Sequence, residues 1–378
     1  MRIAVFSETD RAETRVAATP DMVKKYKVLG ADVVVQAGAG LGAGFSDAEF
    51  EAAGASVAAT AGDALADADI VLKVRRPAEG ELKGAKPGAL LVGIMDPYGQ
   101  DQALKGLADA KIAAFSMELM PRITRAQVMD VLSSQANLAG YRAVVDATAE
   151  YGRAIPMMMT AAGTVPAARI FVMGVGVAGL QAVATARRLG AIVTATDVRP
   201  AAKEQVESLG AKFIAVEDEE FRQAETAGGY AKEMSAEYRA KQAALVSAHI
   251  AKQDIVITTA LIPGRPAPKL LTREMVESMK PGSVIIDLAV ERGGNCELAE
   301  PGQVVEHNGV KIVGHLNVPG RLAATASSLY AKNLYAFVET LIDKETKTIA
   351  VKWDDELVKA TCLTREGAIV HTAFQPTA

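Results

Sequence analysis

Short apolar runs alternate with longer amphipathic segments along most of the chain. In the first third, segments such as PDMVKKYKVLG and QDQALKGLADA separate the runs RIAVF, ADVVVQ, DIVLKV, ALLVGI and KIAAFS. Short apolar strands that alternate with helices of about ten residues are typical of a parallel sheet with helices on both faces. The pattern therefore predicts an α/β fold, whose first helix, Asp21–Leu29, follows the Thr19-Pro20 start signal.

The alternation stops at a long helical segment, roughly Ala126 to Tyr151, and then restarts. The later runs are ARIFVMG, AIVTAT, AKFIAV, DIVITTA, SVIIDLA and VKIVGH, and a second long helix follows near Arg321 to Leu341. We therefore expect two Rossmann-like, doubly wound parallel-sheet domains joined by two long helices, with a cleft between them. The first domain is residues 1–135 completed by the tail 321–378, and the second is residues 136–320.

A polar segment at about 217–234, EDEEFRQAETAGGYAKEM, interrupts the second domain. It is longer than a routine connection between a strand and a helix. Long ordered loops in compact domains are often lids. The composition is equally typical of a flexible surface insertion, so it leaves both readings open.

Composition and charge argue against several classes of function. Half of the 378 residues are hydrophobic and the net charge is −4, so we expect no nucleic-acid partner. Cys296 and Cys362 match no metal or redox spacing, which favours a reducing, intracellular location and predicts no metal site. The N-terminus has no apolar core of signal-peptide length. The apolar run Ile170 to Ala186 contains three glycines and is interpreted as strand, turn and helix, so we expect no direct membrane insertion.

The strongest motif is Gly174-Val-Gly176-Val-Ala-Gly179, which follows the strand ARIFVM and opens a helix. In dinucleotide-binding folds the first glycine allows a tight turn, the second admits the pyrophosphate, and the third allows close packing of helix and strand. The N–H groups and the dipole at the helix start favour a phosphate. The motif therefore predicts a dinucleotide site.

Asp197 ends the next strand, AIVTATD, 18 residues after Gly179. A carboxylate there accepts hydrogen bonds from the adenosine ribose hydroxyls and repels a 2′-phosphate, which favours NAD(H) over NADP(H). Arg199 keeps the alternative open, because a nearby arginine can accommodate a 2′-phosphate.

A dehydrogenase of hydroxy or amino acids needs an acid/base group beside its substrate, most often a histidine. Arg15 and Lys73 could hold a carboxylate or a carbonyl, and ion pairing explains them equally well. The absence of histidine from the first half suggests a dehydrogenase scaffold with no soluble substrate of its own. The four histidines all lie later, at His249, His307, His315 and His371, and His307 and His315 are expected at the surface or the core edge.

The sequence resembles the NAD(H)-binding component, domain I, of the proton-translocating nicotinamide nucleotide transhydrogenases, and it is close to the separate soluble alpha-1 subunit of some bacteria. The resemblance covers essentially the whole chain and is carried by ETRVAATP, MELMPRITRAQVMDVLSSQANLAGYRAV, PMMMTAAGTVPAAR, GVGVAGLQA, ATDVR, KEQVESLGAKF, ETAGGYAKEM, ITTALIPGRPAP, MKPGSVIIDLAVERGGNC and VKIVGHLNVPGR. Domain I is similar in fold to alanine dehydrogenase, whose substrate-holding pair matches Arg15 and Lys73. The strand end that carries that enzyme's catalytic histidine reads Met95-Asp96 here, which argues against amino-acid oxidation.

The resemblance implies direct hydride transfer, of the Si/Re-specific type, from NADH on this chain to NADP⁺ on a partner subunit. Membrane subunits would couple the transfer to proton translocation. The implied partners are an NADP(H)-binding beta subunit, a small membrane-spanning alpha-2 subunit and a second copy of this chain, with no metal involved. The chain would then be cytoplasmic and peripheral on the inner face of the bacterial cytoplasmic membrane.

The stretch PRITRAQVMD, which by composition alone would be a solvated turn, matches the family's Arg-Gln-Asp loop at Arg122, Gln127 and Asp130. By resemblance, Arg122 and Asp130 hold the nicotinamide end of NAD(H), and Gln127 reaches the ribose of the partner's NADP(H). Gly229 and the catalytic Tyr230 match a mobile loop that closes over the nucleotide, which strengthens the lid interpretation. The other implied cofactor contacts, besides the three glycines, are Ile123, Thr124, Val128, Met129, Ser133, Val177, Asp197, Val198, Arg199, Thr259 and Leu261.

Two other functions remain open. A stand-alone, alanine-type dehydrogenase is supported by the Arg15 and Lys73 pair and by the fold. A non-enzymatic NAD-sensing module, whose lid signals occupancy of the site, is the third possibility.

Overall fold

The computed structural model describes residues 1–223 and 234–375. The chain divides into two compact units, which comprise Met1–Gln135 with Pro319–Ala378, and Ala136–Val318. The first unit is described below as unit 1 and the second as unit 2. The predicted lid at 217–234 lies in unit 2, and its residues Gly229 and Tyr230 lie outside the described residues.

The strands of the described residues are β1 Arg2–Val5, β2 Asp32–Gln36, β3 Ser56–Ala58, β4 Ile70–Arg75, β5 Leu90–Ile94, β6 Ala113–Ser116, β7 Met158–Thr160, β8 Gly163–Val165, β9 Arg169–Met173, β10 Ile192–Thr196, β11 Lys212–Phe213, β12 Ile255–Thr258, β13 Val284–Asp287, β14 Val304–His307, β15 Val310–Val313, β16 Ile342–Asp343, β17 Thr348–Ile349, β18 Cys362–Arg365 and β19 Ala368–Ile369.

The α-helices of the described residues are α1 Pro20–Val28, α2 Asp47–Ala52, α3 Ala61–Leu65, α4 Asp101–Asp109, α5 Val131–Glu150, α6 Val177–Arg188, α7 Ala202–Ser208, α8 Glu219–Arg222, α9 Ala236–Ile250, α10 Arg273–Glu277, α11 Ala323–Thr340 and α12 Glu356–Thr361. Short 3₁₀ helices lie at Leu41–Ala43, Met117–Leu119, Thr124–Met129, Val290–Arg292 and Val318–Leu322.

Unit 1 is built on a sheet of strand order β19-β18-β6-β5-β4-β1-β2-β3. Strands β1 to β6 are parallel, and the C-terminal tail adds β18 antiparallel to β6. Ile3 and Val5 of β1 enter a core that also contains residues of α1 and α11, whereas Ala4 enters a core with residues of α3 and α4. Helices thus cover both faces, and this is why the strands read as continuous apolar runs.

Unit 2 repeats the design with the order β11-β10-β9-β12-β13-β15-β14, in which only β14 runs antiparallel. Ile170 and Val172 of β9 enter one core, and Phe171 and Met173 enter the other. Strand order reverses at β9, which lies between β10 and β12. Ligands of open α/β sheets bind beyond the carboxyl ends of the strands at such a reversal, and the glycine motif follows β9 directly.

The predicted mixed α/β fold with parallel sheets is confirmed, and so is the strand–turn–helix interpretation of the run from Ile170. The long helix predicted from Ala126 was wrong at its start. Residues Thr124–Met129 form a 3₁₀ helix, Asp130 has extended backbone angles, and α5 begins at Val131. The strand predicted at AKFIAV is reduced to the two residues of β11. Across residues 1–223 and 234–375, no helix combines the length and apolarity needed to cross a bilayer.

Candidate functional site

The three glycines of the motif meet three different surroundings. Gly174 has φ +95°, and a methyl group at its Cβ position would lie 2.7 Å from Thr259 Oγ1. At Gly179 the methyl group would lie 1.9 Å from the carbonyl oxygen of Gly174. Gly176 faces open space, with no heavy atom of the described residues within 4 Å of that position. The first and third glycines therefore permit close backbone packing, and the second leaves room for a ligand.

Helix α6 presents an open N-terminus beside this space. Gly176 is its N-cap, and no side chain of the described residues caps it. Gly176 and Val177 are both exposed, with Val177 at 40 %. An uncapped helix start offers free N–H groups and a partial positive charge to an anion. These residues fit the pyrophosphate of a dinucleotide.

Asp197 follows β10 and is tied to the glycine turn. Its Oδ2 accepts a 2.7 Å hydrogen bond from the Val175 N–H, and its Oδ1 accepts from the backbone N–H and Nε of Arg199, both at 2.9 Å. Arg199 Nη2 also donates to Val175 O at 3.0 Å. A carboxylate offers about four acceptor positions. A ribose hydroxyl that bonds to Asp197 must therefore compete with the guanidinium of Arg199, whose side chain is the more exposed of the pair.

The other predicted adenosine-side residues lie at the ends of β10 and β12. Thr259 donates its hydroxyl to Gly174 O at 2.9 Å, so it fixes the first glycine of the motif. Val198 and Leu261 are 60 % and 52 % exposed, unusually open for large apolar side chains. Exposed apolar groups beside a nucleotide site suit contact with an adenine or ribose face.

Asn295 is a residue that the sequence analysis missed. Its Oδ1 accepts from the Ala260 N–H at 3.0 Å, and its Nδ2 donates to the carbonyls of Ala260 and Pro268, both at 2.8 Å. It is fully buried. The amide thus fixes the segment that follows Thr259. It lies in the motif ERGGNC, but no spacing rule connects it to a segment 35 residues earlier.

The predicted loop residues Arg122, Gln127 and Asp130 come together in unit 1. They line one cavity of about 130 Å³ with Met120, Pro121, Ile123 and Ala126. Arg122, Thr124 and Gln127 are exposed and Ile123 is half-buried. In the same 3₁₀ helix Val128 is 64 % exposed, whereas Met129 is buried in the core.

Asp130 caps helix α5. Its carboxylate accepts a 2.9 Å hydrogen bond from the Ser133 N–H and a second from the Ser133 hydroxyl. Aspartate is favoured at the N-cap position, because its carboxylate accepts from a backbone N–H three residues later that has no partner within the helix. The cap fixes the direction of both side chains, which are both among the predicted contacts with the nucleotide.

Arg15 and Lys73 are buried in internal ion pairs. Arg15 donates to Glu13 at 2.6 Å and to Gln135 at 2.8 Å. Lys73 Nζ lies 3.3 Å from Glu8 and 2.5 Å from Glu81. Burial by itself would raise the pKa of Glu13, but the pairs with Arg15 and Arg75 outweigh it and lower the pKa to about 2. The charge of both cations is therefore balanced by carboxylates of this chain.

The histidines make structural contacts. His249 bonds to Thr194 Oγ1 at 2.8 Å and packs edge-on against Phe171, and burial lowers its pKa. His307 pairs with Glu277 at 2.8 Å near the surface, as expected. In residues 1–223 and 234–375 no cluster of three or more His, Cys, Asp or Glu side chains could hold a metal ion.

The chain is similar over nearly its whole length to proteins of one family. Residues 4–139 match the N-terminal domain of the alanine dehydrogenase/PNT family, and residues 143–372 match its C-terminal domain. The first part of the NAD(P) transhydrogenase subunit alpha of Rhodospirillum rubrum is 60 % identical over 379 aligned positions, which cover 99 % of each chain. A transhydrogenase structure from Sinorhizobium meliloti has a TM-score of 0.90 at 64 % identity, over 98 % of this chain and 100 % of that one. An L-alanine dehydrogenase structure has a TM-score of 0.82 at 26 % identity, over 99 % and 98 %.

Proposed function

The chain belongs to the alanine dehydrogenase/PNT family and, within it, to the transhydrogenase alpha subunits, and on that premise we propose that it binds NAD(H) and exchanges hydride directly with NADP(H) on a partner subunit. Bound NADH supplies the hydride. The chain's residues then have two tasks: to hold one nucleotide and to present its nicotinamide to the other.

The adenosine and pyrophosphate end is assigned to unit 2. The open start of helix α6 at Gly176 takes the pyrophosphate, because free N–H groups and the helix dipole favour its charge. Asp197 takes the ribose hydroxyls, and its negative charge disfavours a 2′-phosphate. Val198, Thr259 and Leu261 line the same end. NAD(H) is therefore the nucleotide proposed for this chain.

The observation that carries the hydride-transfer role is the shared cavity of Arg122, Gln127 and Asp130. Asp130 and Arg122 hold the nicotinamide end, and the exposed Gln127 reaches toward the partner's nucleotide. Hydride passes between two nicotinamide rings without a proton, so no acid/base group is needed at that step. Positioning and exclusion of water then supply most of the catalysis.

The alternative of an alanine-type dehydrogenase finds little support in unit 1. The internal ion pairs of Arg15 and Lys73 leave a substrate carboxylate to compete with Glu13, Glu8 and Glu81. The β5 strand end offers Met95, which is buried, and Asp96, instead of a histidine. The acid/base group that such enzymes use most often is a histidine, and neither residue supplies one.

We further propose the partners named by the resemblance: an NADP(H)-binding beta subunit, a small membrane-spanning alpha-2 subunit and a second copy of this chain. These would hold the chain at the inner face of the bacterial cytoplasmic membrane and couple hydride transfer to proton translocation. Light scattering of the purified chain tests the dimer.

The deciding experiment mixes the purified chain with an NADP(H)-binding subunit of a related transhydrogenase. Stopped-flow absorbance should report hydride transfer from NADH to NADP⁺ only when both proteins are present. Turnover of alanine or other amino acids by the chain alone would contradict the proposal and support the dehydrogenase. NADH binding without transfer to any NADP(H)-binding partner would instead favour a sensing module.

A further inference from the structure

We propose that Asn333 of helix α11 is a positioning residue that fixes the backbone of Thr124–Met129, and through it the direction of Gln127. The inference rests on the proposed function for its effect on hydride transfer, but the contact itself is independent of that function. Asn333 touches neither nucleotide in this assignment and acts only through the loop.

The contact joins a buried amide to an exposed loop. Asn333 is 8 % exposed, and its Nδ2 donates a 2.8 Å hydrogen bond to the backbone carbonyl of Val128. Val128 directly follows Gln127 and is itself largely exposed. The Thr124–Met129 segment is a 3₁₀ helix, whose hydrogen bonds are weaker than those of an α-helix. Ala126 and Met129 anchor the segment in the core, and the external bond to the Val128 carbonyl fixes the exposed turn between them.

Ser134 sets the orientation of the Asn333 amide. The Ser134 hydroxyl donates to Asn333 Oδ1 at 2.7 Å, and Gln135 Nε2 donates to the same hydroxyl oxygen at 3.2 Å. The Ser134 hydroxyl also lies 3.3 Å from the Val131 carbonyl, but its shorter bond to Asn333, together with the Val128 carbonyl, favours an amide with its oxygen toward Ser134 and its NH₂ group toward Val128. If the Asn333 amide were flipped, its Oδ1 would face the Val128 carbonyl oxygen, and two acceptors would repel each other. Ser134 thus selects the one orientation that holds the loop.

The other side of the loop is held by an ion pair. Arg125 donates two parallel hydrogen bonds, both 2.9 Å, to the carboxylate of Asp355. Asp355 also accepts from the Leu357 N–H as the N-cap of helix α12, so its position is set by that helix. The segment is therefore held by the side chain of residue 125 and by the backbone carbonyl of residue 128, with Gln127 between them. Its side chain stays free to reach a partner.

The proposed consequence is a loss of positioning without a loss of the nucleotide site. Reaction geometries tolerate little displacement, and a shift of about 1 Å can slow a reaction on the order of 100-fold. In Asn333→Ala the Val128 carbonyl loses its donor, so Gln127 samples other directions. We expect the rate constant of hydride transfer to fall by about tenfold or more. The NADH dissociation constant should change less, because the adenosine and pyrophosphate contacts of unit 2 are untouched and only the loop at the nicotinamide end is loosened.

The test uses three single variants, the double variant Ser134→Ala with Asn333→Ala, and one control. Asn333→Ala removes the contact, and Asn333→Asp replaces the donor by a charged acceptor facing the Val128 carbonyl. Ser134→Ala keeps Asn333 but releases its orientation, and it is the milder variant should the others fold poorly. Lys332→Ala changes the exposed neighbour on the same helix and serves as the control.

Two measurements are made on each variant. The first is the rate of tryptic cleavage after Arg122 and Arg125, which reports loop opening and does not depend on the function. The second determines two quantities for comparison: the rate of single-turnover hydride transfer to an NADP(H)-binding subunit, and the NADH dissociation constant. The three single variants should be cleaved faster and should transfer hydride more slowly than the control, with the smallest effects in Ser134→Ala. The double variant should show the same cleavage and transfer rates as Asn333→Ala alone, because both substitutions act through one contact.

If the Asn333 and Ser134 variants fold and trypsin cleaves them no faster than Lys332→Ala, the positioning role of Asn333 is wrong. This holds whatever rate of hydride transfer the variants show. Additive effects of the two substitutions would also overturn it, because Ser134 would then act elsewhere. If the wild-type chain transfers no hydride to its partner, the proposed function fails. Faster cleavage in the variants would still support the role of Asn333 in fixing the loop.

Discussion

The Val175 N–H and the Asp197 carboxylate, 22 residues apart in sequence, are joined by a 2.7 Å hydrogen bond. The residue expected to hold the ribose thus also shapes the glycine turn that is expected to hold the pyrophosphate. Arg199 donates to the same carboxylate and to Val175 O, so the three residues form one hydrogen-bonded cluster. Substitution at Asp197 therefore affects both binding and local stability, and a suitable pair of variants separates the two.

Asp197→Ala should weaken NADH binding by about 1–3 kcal/mol, because a charge-assisted hydrogen bond to the ribose is lost. It should also lower stability, because the Val175 N–H loses its acceptor. Asp197→Asn keeps one acceptor oxygen for Val175, removes the charge and places an NH₂ group where Arg199 donates. We expect it to retain more stability than Asp197→Ala, to bind NADH more weakly and to discriminate less against NADPH. Fluorescence titrations with both nucleotides check this, and unchanged NADH affinity in both variants would contradict the ribose assignment.

Gly176→Ala should weaken nucleotide binding, whereas Gly179→Ala should destabilise the fold. A methyl group at 176 meets no heavy atom within 4 Å in the described part of the chain, so folding should be unaffected. It occupies the space assigned to the pyrophosphate, and we expect NADH affinity to fall on the order of tenfold or more. A methyl group at 179 would lie 1.9 Å from the Gly174 carbonyl oxygen, so the strand and helix must separate.

Thermal and urea unfolding distinguish the two glycine variants. Gly179→Ala should lose about 1–3 kcal/mol or more of unfolding free energy, as overpacked cores do. Gly176→Ala should unfold like the wild type. Normal NADH affinity in a folded Gly176→Ala chain would show that the pyrophosphate lies elsewhere.

Gln127→Asn should slow hydride transfer and leave NADH affinity nearly intact. The substitution shortens an exposed side chain by one methylene, so it withdraws the amide from the partner's nucleotide without disturbing the 3₁₀ helix. The check is single-turnover transfer measured beside NADH titration, with the exposed Lys332→Ala as the control variant. An equal loss of NADH binding would assign Gln127 to this chain's own nucleotide.

Glu13→Gln should flatten the acid dependence of stability. The folded pKa of Glu13 is about 2, below its ordinary value of 4.5, so its ionised form stabilises the fold above pH 4.5 and that contribution is lost as the pH falls through 2. A difference of this size corresponds to on the order of 3 kcal/mol.

Urea unfolding, from pH 5 down to the lowest pH at which the protein still folds, measures how steeply the free energy of unfolding changes with pH. The free energy of unfolding should fall less steeply in Glu13→Gln than in the wild type, although the variant is less stable at neutral pH because Arg15 keeps a neutral partner. Parallel slopes in the two proteins would mean that Glu13 is not ionised against Arg15 in the folded state.

The sequence predicted the central strands of both sheets because these strands are buried on both faces and read as continuous apolar runs. It did not predict β3, β14, β18 and β19, which lie at or next to the sheet edges. It also predicted the glycine motif, because the backbone positions that demand glycine are local to a strand–turn–helix unit. Predictions failed where local signals were weak. Residues 124–129 have ordinary helical propensity, yet the Asp130 cap and the bond from Asn333 to Val128 stop α5 from extending through them.

By itself, then, the sequence determined the fold class and the glycine turn, since these depend on short-range pattern and on whole-chain similarity. It also predicted the roles of the loop residues, which stay predictions. Only the tertiary structure decided that Arg122, Gln127 and Asp130 share a cavity and that Asn295 and Asn333 hold the two segments in place. The physical reason is that a buried amide acts on backbone groups far away in sequence. No local pattern records such a bond, and only the folded chain brings its donor and acceptor within 3 Å.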